Sequence, residues 1–370
     1  MTVVEVESVP VSIPLEEPVS FATRTVEHRD HTLTFVRDDE GNEGVGYTLG
    51  YDGAGLIADA VEELLAPIVE GEDPNHTTRL WRNMFEGTYQ IGRKGLLLRA
   101  IATVDIALWD LRAKRVGLPI HEFLGAARES VPAYASGGYY RGEGTEGLRE
   151  EMETYLDRGH VSVKMKVGRR SVATEEKRVA VAREVLGPER ILMLDANGVW
   201  TNTGEALRAC RRFARYDPYF IEEPVKADSV ELMARVREGL DYPVAAGELE
   251  FSRYGFAELL REGAVDVVQP DATVCGGITE WLRIAHTAAS HDVPVTPHYN
   301  PHLHAHLVAS IANGGMVEYF YRDRDVKVFD DLVVDPPTPE NGKLTPRGPG
   351  HGVRIDRDAL AKFRTDEGGA

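Results

Sequence analysis

Eight titratable residues recur at intervals close to the length of one strand-plus-helix unit. Lys164 and Lys166 come first, then Asp195, Glu222, Glu248, Asp271, His298 and Glu318, in steps of 31, 27, 26, 23, 27 and 20 residues counted from Lys164. Each stands at the C-terminal end of a short apolar run: VSVKMKV, ILMLDAN, YFIEEP, PVAAGE, VDVVQPD, VPVTPH and GMVEYF. An Asp or Asn after a strand often only caps the next helix, but capping does not put a titratable group at the end of seven strands in a row. Strand side chains alternate, so Val161, Val163, Met165 and Val167 share one face and Lys164 and Lys166 the other. Two lysines crowded in a poorly solvated interior have lowered pKa values, and such a lysine can serve as a general base near neutral pH. Asp195, Glu222 and Glu248 would repel one another unless a cation lay between them, and an all-oxygen set suits Mg²⁺ or Mn²⁺ better than zinc. Glu223 would face away from Glu222 in an extended strand, which leaves one of that pair outside the ligand set. Asn197 is a candidate amide partner for a bound ligand, and Glu250, with the parity of Glu248, competes for a ligand position. A carboxylate bonded to an imidazole fixes its tautomer, the reading for Asp271 and His298. Glu318 lies among apolar neighbours, where burial would raise its pKa and keep it a neutral hydrogen-bond donor. The other histidines of PHYNPHLHAH (His302, His304, His306) read as structural hydrogen-bonding groups or helix surface.

The elements needed to bring these residues together are legible. From Val131 to Phe320 apolar strands alternate with helical stretches, Glu175–Leu186, Thr203–Ala214, Val230–Leu240, Arg253–Arg261 and Thr279–Ser290. Such alternation implies parallel strands with right-handed crossovers. With VPAYAS as a first strand the count is eight, the number that closes a barrel, and barrels collect strand ends on one catalytic rim. The first 120 or so residues differ: an alternating strand (VVEVESVPVSI), two strands around a turn (HTLTFVRDDEGNEGVGYTLG), then helical patterns at Leu56–Glu70 and Gly95–Arg115. The segment after Asp331 is rich in Pro and Gly and ends in a charged helix-like stretch.

Composition sets limits. The chain has 370 residues and a formal net charge of −18, the wrong sign for a nucleic-acid partner. Cys210 and Cys275 cannot build a disulfide framework or a Cys-rich zinc site and fit a reducing compartment. The start, MTVVEVESVP, lacks the pattern of a typical signal peptide, and no run approaches the length of a membrane helix. A cytoplasmic protein with no membrane association is expected.

The ordered set Lys164-Met165-Lys166, Asp195-Ala196-Asn197, Glu222-Glu223-Pro224, Gly247-Glu248, Asp271 in VQPDATVCGGIT, His298 and Glu318 resembles the enolase superfamily, in its mandelate racemase-like group. Ala107-Leu108-Trp109-Asp110, Gly117-Leu118-Pro119 and Leu124-Gly125 are similar to that family's join between two domains. The resemblance implies an α/β protein: an N-terminal α+β capping domain (1–125), a (β/α)7β TIM-like barrel (126–330) and a C-terminal segment packing back on the cap (331–370). It implies Mg²⁺ on Asp195, Glu222 and Glu248. Lys166 would be the acid/base on one face of the substrate and His298 with Asp271 that on the other, while Lys164 and Glu318 stabilise the intermediate. The shared step is removal of the proton α to a carboxylate, giving an enediolate.

Two bases allow two outcomes. GELEFSRYGFAELL and PHLHAHLVASIANG look like acid-sugar dehydratases, giving a 2-keto-3-deoxy acid from an aldonate or aldarate. A racemase or epimerase of a 2-hydroxy acid such as mandelate would use the same residues. A metal-dependent sugar isomerase of another barrel type would need the carboxylates but not the Lys pair, and a non-catalytic barrel would have lost a base. The loop Phe21–His31, with Arg24, His28 and Arg29, suits a small hydroxylated acid substrate, and Arg24 and His28 are the candidate contacts. A homo-oligomer is the default state for such an enzyme.

Overall fold

The structure is a computed structural model describing residues 1–142 and 144–365. Three antiparallel strands open the chain, β1 (Val3–Ser20), β2 (Thr25–Asp38) and β3 (Glu43–Leu49), adjacent in that order. The segment Phe21–His31 is thus mostly strand, not loop. Val19 pairs with Val26 and Ser20 with Thr25, and only Phe21–Arg24 forms the hairpin tip, closed by Phe21 N donating to the Arg24 carbonyl at 2.8 Å.

The expected helix over Leu56–Glu70 is present as an irregular run, α-helical at Ala54–Ala60 and Ala66–Val69 with a π turn at Val61–Leu65 between them. Thr77–Thr88 adds a further helix, which the sequence reading left out. The 20-residue helix Leu96–Arg115 is buried on nearly every side rather than along one stripe. It lies between β3 and the helices Ala272–Cys275 and Ile278–Ala289. β3 permits that approach because of two glycines. A Cβ on Gly46 would sit 1.8 Å from the Thr103 carbonyl oxygen and one on Gly44 2.0 Å from that of Ala107, distances no side chain could occupy.

The second sheet is parallel and curls on itself. Its strands are β4 (Val131–Gly137), β5 (Ser162–Lys166), β6 (Ile191–Asp195), β7 (Ile221–Glu222), β8 (Val244–Ala246), β9 (Val267–Val268) and β10 (Val317–Tyr319), in the order β10-β4-β5-β6-β7-β8-β9. VPVTPH, expected as a full strand, supplies a single bridging residue. Val295 pairs with Val268 on one side and Gly314 on the other, closing the ring. Pro294 and Pro297 flank it, and each lacks the N–H a longer ladder needs. Helices cover the outer face, so both faces of the sheet are buried. Val163 and Met165 pack into the outer core, while Lys164 and Lys166 point inward.

Among the described residues no helix follows β10 in the barrel pattern. Lys343–Leu344 pairs antiparallel with β4. The chain then reaches the N-terminal region: His351 N donates to Asp110 Oδ1 at 3.0 Å, Val11 bridges Arg364, and Thr365 N donates to the Pro10 carbonyl at 3.1 Å. Among the described residues no helix is long and apolar enough to cross a membrane.

Candidate active site

The register of the sheet brings the strand-end residues onto one rim. Lys166 pairs with Asp195, and Asp195 with Glu222, in adjacent parallel strands. Asp195, Glu222 and Glu248 are all buried and each offers an oxygen within 4.8 Å of the others. Three successive rim positions therefore carry carboxylates. Lys166, on β5, stands at one end of that arc. Asp271 and His298, following β9 and the Val295 bridge, stand at the other.

At the lysine end the packing is close. Lys164 Nζ lies 2.6 Å from Glu222 Oε2 and 2.7 Å from Glu318 Oε1, and Lys166 Nζ bonds Asp195 Oδ2. The ring centroids of Phe21 and Tyr139 stand 5.4 and 5.5 Å from Lys166 Nζ. Burial pulls the pKa of both lysines down, but the carboxylates outweigh it and both are raised. The expectation of lowered values treated the lysines as neighbours of each other only. Glu318 is corrected for the same reason: burial favours its neutral form, yet Lys164, His298 and Lys166 pull it down to about 2. It is an ionised acceptor, receiving the Tyr299 backbone N–H at 2.9 Å.

At the other end Asp271 Oδ2 accepts from His298 Nδ1 at 3.2 Å, leaving Nε2 to face Glu248 Oε2 at 3.4 Å. Burial lowers the His298 pKa, but Glu248 and Asp271 outweigh it and raise it to about 10. Asp271 is also a helix cap. Its Oδ1 accepts from the Thr273 backbone N–H and hydroxyl, both at 2.8 Å, so the capping role and the histidine contact coexist on one side chain.

Glu223 departs from its expected orientation. Its φ is +38°, so it is not extended, and its buried carboxyl is pushed up by burial and then by Glu248 and Glu222. It joins the acidic cluster from the turn after β7. Glu250 does not join it, being held 2.8 Å from Lys94. Asn197, also at positive φ, donates its backbone N–H to Asp195 Oδ1 at 2.9 Å, and its own Oδ1 is buried with no partner among the described residues. Gln269 was missed in the sequence. It is fully buried and donates to Glu222 Oε2 at 2.8 Å. Its signal was its parity with Asp271 in VQPD.

The mouth of the site is built by the hairpin tip. Arg24 and Arg29 line the same pocket as Lys166, Asn197, Glu248 and His298. Arg24 Nη2 reaches the Tyr51 hydroxyl at 3.3 Å, and Arg29 Nε donates to the Val326 carbonyl at 2.9 Å. His28 does not belong there. It is half-exposed on the opposite side of β2, 3.3 Å from Asp30 and 3.6 Å from Asp52. Strand alternation sends Arg29 inward and His28 outward.

The histidines after His298 are buried, so none is helix surface. His302 bonds Asp330 at 2.8 Å, His304 Nε2 accepts the Ala272 N–H at 3.0 Å, and His306 sits against His121. Burial holds His31 down at about 3, His304 at about 4, and His302, His306 and His351 below the ordinary value. These imidazoles stay neutral in the fold, whereas the unfolded chain takes up protons below about pH 6.5. The contribution is complete above that pH and is lost as pH falls toward the folded values. The buried carboxyls Asp105 and Glu222, raised to about 7 and about 8, act in the opposite sense over this range. The histidine part is therefore read by difference: the urea midpoint of the wild type should fall more between pH 7 and pH 5 than that of His31→Gln, and equal falls would contradict a neutral buried His31.

Two family models match the chain. Residues 3–125 match the mandelate racemase/muconate lactonizing enzyme N-terminal domain, and residues 147–359 the enolase C-terminal domain-like family. The chain belongs to the mandelate racemase/muconate lactonizing enzyme family of the enolase superfamily. An arabinonate dehydratase of Saccharolobus solfataricus is 34% identical to this family member over 342 residues, 90% of each chain. An L-talarate dehydratase from Polaromonas sp. JS666, solved with Mg and L-glucarate, superposes with a TM-score of 0.89 at 30% identity, covering 99% of this chain and 98% of that one. A racemase from Streptomyces coelicolor A3(2), solved with bound magnesium, superposes at 0.91 with 28% identity over 98% and 100%. Membership in this family sets aside the unrelated sugar-isomerase barrel.

Proposed function

We propose that the chain is a Mg²⁺-dependent acid-sugar dehydratase, converting an aldonate or aldarate to its 2-keto-3-deoxy acid. The rim order, Lys166 at one end of a three-carboxylate arc and the Asp271–His298 pair at the other, carries the α-proton abstraction, and the similarity to the arabinonate and L-talarate dehydratases carries the choice of dehydration. Asp195, Glu222 and Glu248 fit a hard divalent ion, since all three are buried oxygen donors and Glu222 Oε1 has no hydrogen-bond partner among the described residues. When bound, that ion supplies positive charge for the substrate carboxylate and for the negative charge that develops as the α-proton leaves.

The chain's own groups do the rest. With the charge of Asp195 taken up by a bound ion, the group that holds the Lys166 pKa up is withdrawn, and Lys166 Nζ in its neutral form accepts the α-proton while the C–H electron pair moves into the enediolate. His298, whose two carboxylate neighbours favour imidazolium, gives its Nε2 proton to the β-hydroxyl, which leaves as water. The enol left behind loses its hydroxyl proton to solvent and takes up a solvent proton at C3, which gives the 2-keto-3-deoxy acid. Lys164 faces the developing negative charge, and Glu318 holds Lys164 in place. Asn197 offers an amide to a substrate hydroxyl. The family relatives that are dehydratases support this outcome, and the solved racemase supports its alternative, in which the second base returns a proton to the α-carbon. The reading includes a cytoplasmic location, a homo-oligomer and no nucleic-acid partner.

The test is a library of aldonates and aldarates assayed for 2-keto acid formation. Product from at least one member supports dehydration. Solvent deuterium incorporation without any 2-keto acid would replace it with racemisation or epimerisation. Within this reading, Arg24→Ala is expected to raise KM by about tenfold or more, the scale of one lost hydrogen bond to a charged group. His28→Ala should leave KM within about twofold. A steady-state comparison of the two variants checks this, and equal effects would contradict the inward placement of Arg24.

A further inference from the structure

A second cleft, of about 700 Å³, lies where the helices Thr77–Thr88 and Leu96–Arg115 meet the barrel helices Ser252–Arg261 and Ile278–Ala289. It shares no lining residue with the rim pocket. In a chain of net charge −18 its wall contains five arginines, Arg79, Arg82, Arg112, Arg253 and Arg283, and no carboxylate. The faces of Trp81 and Trp109 complete it, their indole N–H groups being committed to the Gly276 carbonyl and the Thr279 hydroxyl.

The arginines are under-compensated. Arg253 and Arg283 share one fully buried carboxylate, Glu280, at 2.9 and 2.8 Å. Arg79 pairs with Glu72 at 2.5 Å, and Arg82 reaches Glu86 only at 4.0 Å. Arg112 has no carboxylate partner among the described residues. It donates to the Thr77 hydroxyl at 3.1 Å and lies 4.7 Å from the Trp109 ring centroid, and its Nε is buried with no hydrogen-bond partner among the described residues. Burial lowers its pKa, and Asp105 and Asp73, which act on it without forming an ion pair, offset only part of that effect. The helix Thr77–Thr88 begins at this cleft directly after the turn Pro74–His76, whose cap Asp73 accepts the Asn75 N–H at 2.9 Å, so that end of the helix adds little to the field of the arginines.

We infer that this cleft is a binding site for a small oxyanion, a phosphate group or a dicarboxylate, separate from the catalytic rim. The planar guanidinium groups suit bidentate contact with either anion, and Arg283 and Arg112 are held in place over the Trp81 and Trp109 rings, each 4.7 Å from the ring centroid.

The experiment is calorimetric titration of the Mg²⁺-loaded enzyme with inorganic phosphate and, separately, with succinate, at constant ionic strength. Saturable binding of one anion per chain is expected. Arg112→Gln should weaken it by about tenfold or more, and the exposed pair Arg79→Gln with Arg82→Gln should also weaken it, with turnover unchanged in both. The exposed pair keeps the test decisive if Arg112→Gln fails to fold. Preference for phosphate would identify a phosphorylated ligand or free phosphate, and preference for succinate a dicarboxylate; either supports the site. Absence of saturable binding of both anions, or binding that neither variant weakens, would overturn it. That failure would leave the reading of the rim untouched.

Discussion

Lys166→Ala and His298→Asn are each expected to lower kcat by about 10²–10⁴-fold, the usual contribution of one positioned acid or base. The two variants should differ in what survives. Without Lys166 the α-proton has no acceptor on that face, so neither dehydration nor solvent exchange proceeds. Without His298 the base remains while the acid is missing, so Lys166 can still exchange the α-proton with solvent although the β-hydroxyl is not expelled. Proton NMR of substrate recovered from D₂O, beside a 2-keto acid assay, reads both quantities. Wild-type rates in either variant would remove that residue from the mechanism. Far-ultraviolet circular dichroism should be unchanged for His298→Asn. Lys166→Ala takes a cation from the buried Asp195 carboxylate, so some loss of stability is expected there.

Chelation is expected to have the second large effect. Exhaustive dialysis against EDTA should reduce turnover to background, and Mg²⁺ or Mn²⁺ should restore it. A thermodynamic readout accompanies the kinetic one, because an ion that binds only the folded chain stabilises it by about 2.7 kcal/mol at a hundred times its Kd. The midpoint of thermal unfolding should therefore climb with Mg²⁺ concentration in the wild type and stay flat in Glu222→Gln. Full activity in metal-free protein, or equal thermal shifts in the two proteins, would sink the ligand assignment.

The rim was legible in the sequence because a parallel barrel converts strand-end periodicity directly into proximity. Asp195, Glu222, Glu248, Asp271, His298 and Glu318 needed only the count of strands. What stayed hidden was anything set by a side chain from another strand. The directions of the Lys164, Lys166 and Glu318 shifts depend on ion pairs across strand boundaries, and single-strand reasoning returned desolvation alone. Glu223 needed a backbone angle, φ +38°, that its sequence does not announce. His28 and Arg29 needed the fact that β2 begins at Thr25; read as a loop, the stretch had no parity, and the inward residue could not be told from its outward neighbour. Gln269 could have been found, since it shares Asp271's parity in the stretch just past the end of β9. The Thr77–Thr88 helix could have been found from the spacing of Leu80, Trp81, Met84 and Thr88, whereas the arginine cleft beside it assembles from four helices and carries no local motif.

The pairing of Pro10 and Val11 with Thr365 and Arg364 has a bearing on how the protein is made. The partner of this edge of β1 lies 355 positions further along the chain. At about 5–20 residues per second, a ribosome leaves that edge bare for roughly 20–70 s after its synthesis. During that interval the edge of β1 is open to any strand that reaches it, and a chaperone that shields it would be guarding a contact that forms only after more than 350 further residues have been made.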